Sequence, residues 1–272
     1  MTTGMQGTTL VGILLGVLSV FGAFFLEGGT FGMVVLLPAL MIVFGGTFAA
    51  TIAGSSWEQE RQIPRLIVIA IAPPRYDAQQ LVEQIVRLAV VARRDGVLGL
   101  ERHLPEVRHP YLKKLLQHCI DGMEPESLRQ ASETELDFLT ARHQANINLF
   151  VRMGGYSPTM GIIGTVMALI ATLASAGGDP AVLIRHIATA FIATMWGIFM
   201  ANIVWLPIAD KLRTLHHEEA QLWRMITEGV LAIQQGETPS IVRLRLLASF
   251  PLQQQIQMLS RMPRAGIPAS AQ

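Results

Sequence analysis

The sequence predicts an all-α membrane protein with four transmembrane helices arranged as two hairpins, together with a helical cytoplasmic domain. Three observations predict it. The chain has 272 residues, of which 51% are hydrophobic and only 15% charged, with a mean hydropathy of +0.41; a soluble domain carries about 25% charged residues. The apolar residues are gathered into four runs, at about 8–26, 31–54, 153–176 and 183–208, each near the ~20 residues that carry a helix across a bilayer. Lysine and arginine avoid the connections within each pair of runs and crowd the segment between the pairs.

The first two runs are separated by Glu27-Gly28-Gly29-Thr30 and the last two by Gly177-Gly178-Asp179-Pro180 and its neighbours, so each pair reads as a tight hairpin with Gly/Pro breakers at its turn. Residues 55–150 hold twelve of the 21 basic residues, whereas the two short turns hold none and Arg185 stands alone at the start of the fourth run. By the positive-inside rule, the 55–150 loop and both termini lie in the cytoplasm and the hairpin turns on the other side of a bacterial inner membrane. The opening MTTGMQGTT lacks the basic n-region of a cleaved signal, so the first run reads as a retained span. The domain reading is therefore a hairpin over 1–54, a cytoplasmic loop over 55–152, a second hairpin over 153–209, a cytoplasmic helix over 210–250 and a loose Gln/Pro/Ser/Ala-rich tail over 251–272.

The polar segments carry helical periodicity. Leu81, Ile85, Leu88 and Ala92 recur at helical spacing between Asp77, a suitable N-cap, and Gly96, a stop. Two further helices are expected over 111–123 and 126–150, the latter feeding directly into the third span. Beyond the fourth span, Ile208, Leu212, Leu215, Leu222, Ile226 and Ile233 keep one stripe as far as Gly236, which extends that helix into the cytoplasm and against the loop helices.

The spans contain no Asp, Glu, Lys or Arg in their interiors; Glu27, Arg152, Arg185 and Asp210 mark their ends. An ionisable group inside the membrane is the usual mark of an ion relay, so either the chain conducts nothing or a partner supplies the carboxylate. The third and fourth spans instead present small and hydroxylated rows: Ser157, Gly161 and Thr165; Gly164, Ala168 and Thr172; Ala193, Gly197 and Ala201, beside Thr194. Such rows permit close helix packing in lipid, and packing alone is the plainer reading. Pro158 and Pro207 each remove an amide donor, from the carbonyls of Gly154 and Ile203, which makes them either simple kinks or hinges.

The stretch from Gly154 to Met167 (GGYSPTMGIIGTVM) resembles the third span of the MotA/PomA flagellar stator family. Four more places agree: Ile42–Thr47 with its second span, Arg93–Glu101 with its cytoplasmic torque motif, and Ala193–Gly197 and Leu206–Leu212 with its fourth span and exit. The resemblance covers roughly 8–245. It implies an ion-driven stator subunit, five copies of which surround two copies of a single-span MotB/PomB-type partner bearing the essential aspartate and a peptidoglycan-binding domain. It further implies that the ring pushes the rotor protein FliG. On this resemblance Pro158 and Pro207 match functional prolines, Thr165 and Thr194 match pore-facing residues, and Glu101 matches the acidic rotor contact, with Arg93 and Arg94 both qualifying as its basic counterpart. Protons are favoured as the coupling ion, with sodium left open, since threonine at the first of these positions occurs in members driven by either.

Other signals point nowhere in particular. The net charge of +1 gives no pointer to nucleic acid, and the single cysteine, Cys119, forms no intrachain disulfide. The glycines of 154–164 lack the GK[ST] ending of a phosphate loop. His103, His109, His118 and His216-His217 have no metal-ligand spacing and read as surface residues. No nucleophile, base or cofactor motif supports an enzyme. The competing readings are an ExbB/TolQ-like energiser, whose members look like three-span chains and so lack the 8–54 hairpin, and a non-conducting membrane scaffold.

Overall fold

A computed structural model of the chain describes residues 8–74, 77–175 and 177–260; the described residues are helical, with no strand among them. They form two compact units, one containing residues up to Pro74 together with Thr140–His216, the other Arg75–Leu139 together with the segment from His217 onward.

The first unit is an apolar bundle. Helix α1 (Thr8–Leu26) buries none of its residues, and exposed Leu14, Leu15 and Leu18 give it an apolar surface that only lipid or another apolar chain can cover. The second apolar run differs from the expected single helix. It consists of α2 (Phe31–Val34), α3 (Leu37–Leu40), a π segment (Met41–Gly45) and α4 (Gly46–Ala53). Pro38 explains the break. A proline in a continuous helix lacks the amide that would bond the carbonyl four residues back, here Val34, and its ring clashes with that carbonyl. The chain instead turns through extended Leu36 and restarts with Pro38 in the first turn of α3. The Val34 carbonyl is taken by the Trp196 indole N–H at 2.8 Å. Thus among the described residues three helices are long and apolar enough to cross a membrane, while the second run supplies a shorter apolar helix, Leu37–Ala53.

Two short helices follow. The Ser56 side chain and Gln59 form a capping box on α5 (Trp57–Glu60), and α6 (Ile63–Ile71) buries Ile63, Leu66 and Ala70. Residues 55–74 therefore belong with the apolar bundle rather than with the polar loop. The α6 face joins Ile147, Phe150 and Met153 of α9 (Pro125–Ala174) and Trp205, Ile208 and Leu212 near the end of the bundle. The last apolar run is α10 (Pro180–Phe199), a π segment (Met200–Trp205) and the start of α11 (Leu206–Gln234).

The second unit has its own core, in which Leu81, Val82 and Ile85 meet Leu112, Leu116, Leu128, Ile226 and Val230. Helix α7 (Ala78–Asp95) begins as expected, with the Asp77 carboxylate accepting from the amides of Gln79 and Gln80 at 2.9 and 3.1 Å. It ends where Gly96 takes φ +77°, a conformation open to glycine alone without strain. Residues 97–106 form a 3-10 helix that periodicity did not show, and α8 is Pro110–Ile120, capped by His109. Tyr111 stacks on Trp223 with ring centroids 3.8 Å apart, and its hydroxyl meets that of Thr227 at 3.1 Å. Helix α12 (Pro239–Leu247) closes the core with Val242 and Leu246. The expected loose tail starts later than residue 251, because α13 (Leu252–Ser260) is helical and Met258 packs on this core; the rest of the tail lies outside the described residues.

Arg243 of α12 forms a two-armed ion pair with Glu83 of α7, one arm at 2.8 Å. The hydrogen bond from Arg243 is the main reason the Glu83 carboxyl is held below its ordinary value of 4.5, against a smaller opposing effect of burial. A depressed folded value means that the stabilisation is present above 4.5 and lost as pH falls through it. Glu83 is half-exposed, so Glu83→Gln should cost about 0.5–1 kcal/mol at neutral pH. Thermal unfolding of the detergent-solubilised protein at pH 7 and at acid pH reads this directly: the gap between variant and wild type should shrink on acidification.

Candidate functional site

The third and fourth apolar runs cross at backbone contact. A Cβ on Gly197 would sit 2.7 Å from the Ser157 carbonyl oxygen and 3.1 Å from the Gly161 Cα. One on Gly161 would sit 2.9 Å from the Ala193 carbonyl oxygen, and one on Gly164 would sit 2.7 Å from the Ala193 Cβ. The small residues at four-residue spacing are therefore the seam between α9 and α10. The second run approaches the same seam: Gly46 faces the Met160 sulfur, and Ala39 and Val43 pack with Ala193.

This closeness brings the two expected threonines together. The Thr165 hydroxyl lies 3.0 Å from the Ala190 carbonyl, 3.1 Å from the Gly161 carbonyl and 2.5 Å from the Thr194 hydroxyl. A hydroxyl has one proton and two lone pairs. If Thr165 donates to either carbonyl, Thr194 must donate to Thr165, which leaves the Thr194 lone pairs open as acceptors. Both side chains are half-buried.

Pro158 lies within α9, which continues through it as an α-helix, and its Cα is 3.2 Å from the position of a Gly197 Cβ. The proline is thus part of the helix crossing, with no break beside it. Pro207 differs. It stands two residues beyond the end of the π segment Met200–Trp205, whose wider turns change the hydrogen-bond register just ahead of a residue with no amide to give.

The third expected group lies in the other unit. Arg93, Arg94 and Glu101 are all exposed, on the last turn of α7 and in the 3-10 helix. Arg94 is engaged: its Nε and Nη2 donate to Asp95 at 2.9 Å each, and Arg102 stands 3.9 Å from the same carboxylate. The Arg94 hydrogen bond chiefly holds the Asp95 carboxyl below the usual carboxylate range. Arg93 and Glu101 form no ion pair among the described residues.

Several residues that matter here were not singled out from sequence. Arg152 donates to the Gly54 carbonyl at 2.5 Å and to the Ser55 hydroxyl at 2.9 Å, closing the C-terminal end of α4, where a cation suits the helix dipole. Trp196 serves the Val34 carbonyl, and its ring lies against Phe21, Phe44 and Phe199. His216, read as a surface residue, meets His143 with Nδ1 atoms 3.1 Å apart and rings nearly perpendicular. Burial, with Arg142 nearby, pushes the His143 value down. His109 also departs from the surface reading: it is buried, and its Nδ1 accepts from the Leu112 amide at 3.4 Å. Cys119 is buried too, its thiol pushed up to about 11. None of these pairings has a sequence signal, because the partners lie 73 to 162 residues apart in the three long-range cases.

Substitution at the seam separates its glycines from those elsewhere. Gly197→Ala places a methyl against backbone atoms that cannot move aside, and overpacking of this kind costs roughly 1–3 kcal/mol. Gly155→Ala, with nothing within 4 Å of the new atom, should be neutral. Melting of the two variants in detergent should show a lowered midpoint for the first alone.

Residues 103–225 match the MotA/TolQ/ExbB proton channel family, and residues 10–96 match the motility protein A N-terminal family. The chain is 30% identical to motility protein A of Bacillus subtilis over 254 residues, covering 93% of this chain and 94% of the relative. It is 31% identical to the chemotaxis protein PomA of Vibrio alginolyticus over 238 residues, 88% of this chain and 92% of PomA. Among solved structures, the flagellar MotAB stator complex of Bacillus subtilis contains a chain that superposes with a TM-score of 0.85 at 30% identity, covering 91% of this chain and 97% of that one.

Proposed function

Since this chain belongs to the motility protein A family, we propose that it is the larger subunit of a flagellar motor stator. In this reading it works with a MotB/PomB-type single-span partner to turn ion flow across the inner membrane into torque on the rotor. The observation that carries this reading is the hydroxyl pair of Thr165 and Thr194 at a glycine-lined helix crossing, in spans that hold no carboxylate. A partner aspartate beside that pair completes an ion pathway, with the open lone pairs of Thr194 available to water or the ion.

The finer parts of the proposal follow. Four crossings are made by α1, by the Leu37–Ala53 segment, which at 17 residues is at the short end of the spanning range, by α9 and by α10 with its π segment. The loop and both termini are cytoplasmic, as the arginine bias indicates. Five copies surround a partner dimer in the lipid, Pro158 and Pro207 serve as gating positions, and the unit carrying Arg93 and Glu101 faces FliG. Arg93 is the basic contact of choice, because Arg94 is already held by Asp95. Protons are the coupling ion, and no cofactor is required. The match to the motility protein A N-terminal family over residues 10–96 favours a stator over an ExbB/TolQ-like energiser.

Expression in a stator-less strain tests the core of the proposal. Together with a MotB-type partner the chain should restore swimming, and alone in liposomes it should pass no ions; flux without the partner would refute the missing-carboxylate argument. Thr194→Val removes a donor whose net worth is about 0.5–1.5 kcal/mol and should slow or stop rotation with the complex still assembled. Replacing Thr165 by Val should change throughput or ion preference. Unchanged speed and ion dependence in both would return the pair to packing only.

Charge reversal addresses the rotor contact. Exposed ionic groups contribute about 0–1 kcal/mol to stability but steer encounter strongly. Arg93→Glu and Glu101→Lys should therefore impair motility at unchanged membrane levels, and reversal on FliG should restore part of the torque. Arg94→Glu should also disturb Asp95 and be the least cleanly rescued of the three. For orientation, a cysteine at Gly178 should be labelled from outside the cell and one at Gln130 should not.

A further inference from the structure

Within the third and fourth apolar runs lies one imidazole, His186. It is on the stripe of α10 that faces α9: Ala190 follows it by four residues, Ala193 and Thr194 by seven and eight, and Gly197 by eleven, with Ala190, Ala193 and Gly197 all buried. That spacing keeps one helix face, and eight residues place His186 about 12 Å along the axis from Thr194. The ring is half-buried, and its Nδ1 is fully enclosed with no hydrogen-bond partner. A polar atom enclosed without a partner is costly, and ionisable residues inside membrane spans tend to mark ion or proton routes.

The surroundings favour proton exchange over ion pairing. On α9 the seam row continues outward from Gly164 through Ala168 and Thr172, with Ser175 beyond, none of them charged. The Thr172 and Ser175 hydroxyls donate to the Ala168 and Ala171 carbonyls at 2.9 and 2.8 Å, so their oxygens remain acceptors. The charged side chains toward this end are Glu27 in the first hairpin connection and, on His186's own helix, Asp179 and Arg185; all are exposed, and Asp179 is occupied in capping the Ala181 amide. With Nδ1 enclosed, Nε2 is the ring nitrogen left for exchange.

We propose that His186 is a proton-exchange residue at the outer entrance to the Thr165–Thr194 pathway, which makes H+ the coupling ion. Nε2 takes one proton from outside water, the ring becomes a cation, and the same proton passes inward along water to the partner's carboxylate, leaving the ring neutral again. The inference rests on the stator reading of this chain.

The test uses the chain with its MotB-type partner in a stator-less strain, with rotation speed recorded at external pH between about 5.5 and 8.5, at fixed internal pH and at two sodium concentrations. Membrane level and co-purification of the partner are measured alongside. Wild type should vary with external pH and ignore sodium. H186Q should turn several-fold more slowly with a flattened pH profile at normal assembly, and H186E, which restores a titratable group, should regain a pH-dependent profile displaced to more acidic values. A wild-type profile in H186Q, a uniform slowing that keeps the profile's shape, loss of assembly in H186Q together with a wild-type profile in H186E, or sodium-dependent wild-type speed would each overturn the proposal. If the wild-type pair restores no rotation at all, the stator reading fails first and takes this inference with it.

Discussion

The backbone contact between α9 and α10 is the constraint on which the rest of the bundle depends. Lipid gives apolar helices no hydrophobic reason to associate, so helices that meet in it must gain close packing and directional bonds. Gly161, Gly164 and Gly197 let the two backbones approach until a single added carbon would collide. At that separation a threonine on one helix can reach a carbonyl on the other, which is how Thr165 comes to lie 3.0 Å from the Ala190 oxygen and within reach of Thr194. Packing and chemistry are therefore one arrangement: the glycines that look merely small are what place the two hydroxyls side by side.

The same logic accounts for the broken second run. Pro38 leaves the Val34 carbonyl without a helical donor, and an unsatisfied carbonyl in an apolar setting costs several kcal/mol. The Trp196 indole supplies that bond from a point on α10 one residue from Gly197. Its position ties the break to the glycine seam, since Ala39 and Val43 can pack on Ala193 only if the chain restarts after Leu36. Threonines take up a comparable role further along, where buried Thr47 and Thr51 bond the Val43 and Thr47 carbonyls at 2.5 and 2.7 Å.

Much of this was legible in the chain, and the part that was not shares a cause. Composition, the apolar runs and the Asp77 and Gly96 helix signals are local, and they located α1, α7, α9 and the long final helix. The row of small residues and Thr165 and Thr194 were visible for the same reason, as periodic features of single helices. What escaped depends on contacts distant in sequence: Arg152 closing α4, Trp196 serving Val34, His143 meeting His216. Pro38 was itself a local signal, overlooked inside a run that otherwise reads as a continuous span. His186 gives no signal in a pattern of carboxylates, lysines and arginines, although an imidazole is an ionisable side chain too. The segment 55–74 carries, beside its arginines, an apolar stripe of Ile63, Leu66 and Ala70, which the fold buries.

The remaining exposed surface bears on how the chain is used. Ile162, Ile163, Val166, Leu169, Ile170 and Leu173 on α9 and Ile184, Phe191 and Ile198 on α10 are exposed, while the glycine face of each helix is spent on the seam. Helix α1 packs through Val17 and Phe21 but leaves Leu14, Leu15 and Leu18 exposed. Two kinds of apolar neighbour can cover such a surface, lipid chains and other protein helices, and the hydroxyl pair distinguishes where each belongs. A half-buried Thr194 with open lone pairs is poorly served by hydrocarbon, because no acceptor or donor is available there. The side of the seam on which Thr165 and Thr194 open thus suits water or another polar group, whereas the exposed Leu14, Leu15 and Leu18 of α1 suit lipid. Neither the exposed apolar surface nor the open lone pairs of Thr194 are satisfied within the chain itself.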